Sequence, residues 1–380
     1  MMILKPDLGI YHDMLDAIAA SQPSLSFLSS PWPDTGAWRT RARAKVFELF
    51  AFDPMTIPLN AHVDSRQEEG GLIVEVISYD MPYGSRAQGF FLYPSKRNGK
   101  LSAVVSLHDH GGFFYYGKEK VTAIPNEPAI LTEFKQGAYG GRSWATELAK
   151  RGFAVFVPDV FLWWIRKIPV ESLNEEFQIA FKDLRPGSDE YIQRYNGLLD
   201  KMEDLVIAPT IVNAGASWPG IFSYEDRRSV DYLVTRPEID PNRIGCGGLS
   251  GGGLRTIFLA GLDERIRCAF CVGFMSTMRG MLRNRIKSHR LFMYVPQLSH
   301  YLDLPDVIAL RAPSPLMVQY DRDDELFTLE GQRQADEKIA KIYSEIGYPC
   351  NYVGKFYPGP HKFDVEMQED AFAWLGRHLT

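Results

Sequence analysis

Gly247-Gly248-Leu249-Ser250-Gly251-Gly252-Gly253 is the stretch that decides how this chain folds. Gly248, Ser250 and Gly252 form a G-x-S-x-G pattern directly after Arg243-Ile244-Gly245-Cys246, which reads as a short buried strand. Leu254-Arg255-Thr256-Ile257-Phe258-Leu259-Ala260 follows as an apolar run able to continue as a helix. Strand, sharp turn and helix make the context of a nucleophile elbow, which lifts a serine hydroxyl above the end of a sheet. Such a turn strains the serine backbone, and its neighbours must be small because side chains would clash with the adjoining strand and helix. The plainer alternative is a glycine-rich turn with an incidental serine. The flanking strand and helix favour the elbow.

Outward from this turn, strands and helices alternate. Towards the C-terminus, strands are expected at 266–272, 315–320 and 351–357. Between the last two, Ala335, Ile339, Ile342, Tyr343 and Ile346 mark one helical face stopped by Gly347 and Pro349, and 371–379 closes the chain as a helix. Towards the N-terminus, Ser223-x-x-Asp226 resembles a capping box opening a helix to Val234. Strands at 103–107 and 153–157 flank a helix at 144–151 stopped by Gly152. Residues 72–79 and 87–93 read as a hairpin around Pro82-Tyr83-Gly84-Ser85. Repeated β-α units predict an α/β fold with a mostly parallel central sheet and helices on both faces.

Residues 1–66 read as a mainly helical extension, with Met14, Leu15, Ile18 and Ala19 on one face and a second helix at 40–50. Residues 67–380 then form the main domain. Two long segments, 113–143 and 160–219, leave the carboxyl ends of strands, where ligands bind in open α/β sheets. The second is rich in large side chains, including Trp163, Trp164 and Trp218, and reads as a lid or pocket wall.

A serine hydroxyl needs a base to take its proton and a carboxylate to orient that base. Both follow Ser250 in the chain. After the strand at 315–320 come Asp321, Asp323, Asp324 and Glu325; after the strand at 351–357 comes Pro358-Gly359-Pro360-His361. His361 lies in a turn from which an imidazole can reach the elbow, whereas His378 belongs to the closing helix. Asp324 is the preferred acid, with Asp323 as the alternative. An oxyanion hole needs two donors. One is the backbone N–H of Gly251; the other is assigned to Gly112 in Leu107-His108-Asp109-His110-Gly111-Gly112-Phe113, with Phe113 as the near alternative. His108, Asp109 and His110 have no matching ligand cluster elsewhere, so they are expected to brace the loop, and neither metal nor cofactor is expected.

Apolar and charged contents of 45% and 23% in 380 residues are those of an ordinary globular protein. A net charge of -5 without a basic block argues against nucleic acid. No run approaches the roughly 18 apolar residues of a membrane span. Asp7, His12, Asp13 and Asp16 interrupt any signal-like stretch, so a cytoplasmic location is expected. Cys268 and Cys271 have C-x-x-C spacing but sit in an apolar strand, and read as two buried thiols.

These residues resemble the dienelactone hydrolase and acetyl xylan esterase-like branch of the α/β-hydrolase superfamily. The likeness runs from about Leu72 to the C-terminus. It is carried by His110-Gly111-Gly112, Leu148-Ala149-x-x-Gly152-Phe153-Ala154-Val155 with Pro158-Asp159, Asp240-Pro241-x-Arg243-Ile244-Gly245, Tyr294-Val295-Pro296, Ala312-Pro313-x-Pro315-Leu316 and Asp324-Glu325-Leu326-Phe327. The resemblance implies a carboxylic ester hydrolase with Ser250, Asp324 and His361 as its triad, and its register favours Asp324. Val160-Phe161-Leu162-Trp163-Trp164 stands where relatives often have a small glycine-containing turn, and Ser314 replaces the usual arginine, so a sugar ester does not follow. His110, Phe113, Tyr115, Trp163 and Trp164 are expected around the pocket of a small-molecule ester. A C–C bond hydrolase acting on a β-diketone and a prolyl-oligopeptidase-like peptidase are rival activities, although no blade-like repeat precedes the catalytic region. A non-catalytic ligand-binding protein of the same fold is the rival outside enzymology. A homo-oligomer is left open.

Overall fold

The computed structural model describes residues 6–19, 22–29 and 31–379. Its nine strands are β1 His62–Glu69, β2 Leu72–Tyr79, β3 Ala87–Pro94, β4 Leu101–Leu107, β5 Ala154–Pro158, β6 Ile239–Leu249, β7 Ile266–Val272, β8 Leu316–Asp321 and β9 Tyr352–Tyr357. They form one sheet in the order β1-β2-β3-β5-β4-β6-β7-β8-β9. The pairings from β1 to β5 are antiparallel, and every pairing from β5 across to β9 is parallel.

The central strands read as continuous apolar runs because both of their faces are covered. Ala103, Val105, Ala154, Phe156, Cys246 and Cys271 belong to one core with the helices Trp218–Leu233, Gly251–Leu262 and Leu329–Glu345. Val104, Val155, Cys268, Phe270 and Met317, one position out of phase, meet the helices Trp144–Lys150 and Val365–Leu379 on the other face. The period of two along each strand therefore sorts the side chains into two layers. Cys268 and Cys271 are both buried and unbridged, and burial raises their thiol pKa values.

The elements depart from the expected bounds in three places. The boundary drawn at residue 66 falls inside β1, whose eight residues are all exposed. An edge strand of sequence His-Val-Asp-Ser-Arg-Gln-Glu-Glu has no apolar alternation to announce it. The helix to Leu233 begins at Trp218, with Ser217 Oγ accepting the Gly220 N–H; Ser223 lies inside it. At the N-terminus the helix His12–Ile18 forms, but Met14 and Ile18 are exposed.

The packing of the extension falls instead to the helix Thr35–Phe50, which buries Trp38, Ala42, Val46 and Phe50 at four-residue intervals. Phe50 sets its ring 5.1 Å from Phe258 of the helix after Ser250, and Arg43 donates to Gly261 O at that helix's end. The extension thus backs the element carrying the elbow. Among the described residues no single helix is long and apolar enough to cross a membrane.

Candidate active site

Ser250 joins β6 to the helix Gly251–Leu262 with φ 58 and ψ -120, a conformation that costs a non-glycine residue energy. The glycines around it answer a steric demand from β4. A Cβ on Gly248 or on Gly252 would lie 2.1 Å from Leu107 O, and one on Gly247 would meet the Phe270 ring at 2.4 Å. Because Leu107 O is backbone within the same sheet, it cannot step aside without parting β4 from β6. Gly248→Ala is therefore expected to cost about 3 kcal/mol or more, at the upper end of overpacking penalties. Gly197→Ala, where the added methyl meets nothing within 4 Å, should instead be neutral or stabilising. Urea unfolding of both variants checks the contrast.

The chain leaves β8 at Asp321 and β9 at Tyr357, bringing the acid and histidine loops together. Asp324 Oδ2 lies 2.7 Å from His361 Nδ1, and Asp324 Oδ1 accepts the Leu326 N–H at 2.8 Å. Asp324 is buried. Asp323, the alternative acid, is exposed, and its carboxylate accepts the Gly359 N–H at 2.8 Å. Burial pushes the Asp321 carboxyl up to about 7, and its Oδ2 accepts the Lys362 N–H at 3.1 Å. For His361, burial favours the neutral ring, but the bond to Asp324 and the nearby carboxylates outweigh it and raise the pKa above 6.5. Its Nε2 is buried and has no hydrogen-bond partner among the described residues. Ser250 and His361 border the same cavity.

The loop after β4 runs differently from expectation. Gly112 N–H, assigned to the oxyanion, donates to His110 Nδ1 at 3.0 Å, and Phe113 N–H donates to His110 O at 3.1 Å. Both candidates are therefore already engaged. Gly111 N–H and Gly251 N–H donate to no protein acceptor among the described residues. The carbonyls of this loop are held from outside: Arg255 donates to His108 O at 3.2 Å, and Lys120 donates to Asp109 O and His110 O. His108, Asp109 and His110 do not converge on a common point. His108 Nδ1 lies 3.0 Å from Asp109 O, Asp109 binds Lys120 and Tyr139, and His110 Nε2 faces Glu203.

The cavity measures about 510 Å³ and is bordered by Phe113 and Phe134, by Glu133 on its rim, and by Asn196 from the insertion. Of the expected pocket residues only Phe113 lines it. Trp163 is buried between His110 and Phe114, with ring centroids 5.4 and 5.0 Å away. Trp164 stacks on Tyr116 at 5.2 Å, and Tyr115 packs against Trp164 and Tyr195. His110 and Trp163 instead line a second, smaller cavity together with Gly251 and Arg255.

Asn196, Glu133 and Glu203 were not singled out by the sequence. Nothing in their local pattern separates them from solvated helix positions. Lys118, Glu119 and Lys120 are all buried, with Lys118 paired to Asp159 at 2.6 Å.

A sheet with this order, and a strained serine between a parallel strand and its helix, define the α/β-hydrolase fold. No protein-family model matches the chain. It is 24% identical over 312 residues to the Bacillus subtilis (strain 168) protein named "Putative hydrolase YtaP", covering 81% of this chain and 89% of that one. Among solved structures it resembles a protein described as a "putative acetyl xylan esterase" from Bacteroides fragilis, with TM-score 0.69, 18% identity, and 94% and 82% of the two chains covered. It also resembles a glucuronoyl esterase from Solibacter usitatus, with TM-score 0.62, 14% identity, and 94% and 97% covered.

Proposed function

We propose that this protein hydrolyses a carboxylic ester through Ser250, His361 and Asp324. The observation that carries the reading is His361. Asp324 fixes its Nδ1, its buried Nε2 has no hydrogen-bond partner among the described residues, and His361 borders the cavity that Ser250 also lines. In the first half-reaction His361 Nε2 takes the Ser250 proton as Oγ attacks the acyl carbon. The carbonyl oxygen becomes an oxyanion held by Gly251 N–H and a second backbone donor of the loop after β4. Collapse expels the alcohol, which receives the proton from His361 and leaves an acyl group on Oγ. A water, deprotonated by His361, then attacks that acyl carbon, and the returning proton frees Ser250 and the carboxylic acid.

The relatives support ester chemistry by what they are called: a "Putative hydrolase", a "putative acetyl xylan esterase" and a "Glucuronoyl Esterase". The cavity, of the size that holds small-molecule ligands, suits a small ester. A fluorophosphonate probe should label the protein at Ser250, found by peptide mass spectrometry. A folded protein left unlabelled at Ser250 would favour a ligand-binding role for the same fold.

A further inference from the structure

We propose that Glu203 is a positioning residue for the oxyanion loop: through His110 it holds the Gly112 N–H and thereby leaves Gly111 N–H as the donor paired with Gly251 N–H. This rests on Ser250 being the nucleophile. Three hydrogen-bond distances define the relay. Gly112 N–H reaches His110 Nδ1 at 3.0 Å, and His110 Nε2 lies 3.0 Å from each Glu203 carboxylate oxygen. A ring nitrogen that accepts an N–H carries no proton itself, so Nδ1 is bare and Nε2–H donates to the carboxylate. Removal of the acceptor at position 203 frees the ring to adopt the other tautomer. Nδ1–H would then face Gly112 N–H, donor against donor, and the turn would have to open.

Other features show that this arrangement is built in. Glu203 is wholly buried, and His110 is the sole hydrogen-bond partner of its carboxylate among the described residues. Burying a carboxylate with so few partners costs free energy, and replacement by an apolar residue would avoid that cost. It opens Glu203–Ile207, a one-turn π-helical segment, a departure from α geometry common at functional sites. The His110 ring is caged by Phe292, Phe114 and Trp163, with centroids 4.7, 5.0 and 5.4 Å away, so it cannot turn aside.

On the other side, Lys120 and Arg255 hold the carbonyls of residues 108–110. Gly111 and Gly112, with φ 58 and 62, make a turn that other residues rarely adopt. The loop also touches the elbow: a Cβ on Gly251 would lie 2.7 Å from His110 N. Gly111 borders the cavity, and both His110 ring nitrogens are engaged, by Gly112 N–H and by Glu203, which separates a positioning role from direct proton transfer by His110.

Glu203→Gln keeps an acceptor for His110 Nε2–H, and Glu203→Leu removes it at similar size. With a p-nitrophenyl ester, Glu203→Leu is expected to lose about 10–100-fold in kcat with KM changed less than about 3-fold, the size of effect a displaced oxyanion donor produces. Glu203→Gln should restore most of that loss. An unchanged kcat in Glu203→Leu, or equal loss in both variants, overturns the proposal. If Glu203→Leu does not fold, ¹⁵N spectra of the wild-type protein decide. An Nε2-protonated His110 ring coupled across the hydrogen bond to the Gly112 amide supports the relay, and an Nδ1-protonated ring overturns it. Fluorophosphonate labelling of the wild type runs alongside, so that a failure at Ser250 is told apart from a failure of the relay.

Discussion

Ser250→Ala is expected to lower ester turnover on the order of 10⁶-fold in kcat, the loss seen when a triad nucleophile is removed. The size follows from the division of labour in the site. Without Oγ there is no acyl-enzyme, and His361 has no hydroxyl to deprotonate. What remains is whatever the oxyanion donors and the cavity contribute to direct attack by water. The fold should survive, because the strain at φ 58 is a property of the backbone and alanine is no bulkier than serine. Burst and steady-state kinetics with a p-nitrophenyl ester provide the measurement, with circular dichroism to establish folding. Turnover within an order of magnitude of wild type in a folded variant would remove Ser250 from the mechanism.

The second large effect belongs to Asp324→Asn, for which a loss of about 10⁴-fold in kcat is expected. Asparagine can place its amide N–H against His361 Nδ1, and the ring then carries its proton on Nε2, where it cannot accept one from Ser250. The pH profile should move as well. In the wild type Asp324 helps to raise the His361 pKa above 6.5, and a general base works only when neutral, so kcat/KM should fall on the acid side with a midpoint above that value. In Asp324→Asn the raising influence of Asp324 is gone and desolvation still lowers the pKa, so the residual activity should keep its acid limb at lower pH. An unshifted limb would mean that a different group titrates. Asp323→Asn, at an exposed carboxylate bound to Gly359 N–H, should leave this limb in place.

The parts of this molecule that the sequence announces are those where one residue type is forced by geometry. Glycine at 248 and 252 is required by the approach of Leu107 O, and that requirement is visible as a run of glycines around a serine. The parallel strands are legible because burial on both faces demands unbroken apolar runs. Strand β1 is not, since an exposed edge places no demand on side-chain character. The choice among Asp321, Asp323 and Asp324 turns on which way each side chain points after β8, a matter of loop conformation. The engagement of the Gly112 N–H is hidden from the sequence for a similar reason. His110 competes for the Gly112 N–H, and that competition depends on Glu203, 93 residues away in the chain.

The segment from 160 to 219 supplies Asn196 to the cavity and Glu203 to the underside of the loop that faces it. It is therefore not a detachable selectivity module. Grafting the corresponding segment of a relative to alter which esters are accepted would also replace the prop beneath the catalytic loop. Scope and speed would then change together unless the donor segment carried its own acceptor for His110.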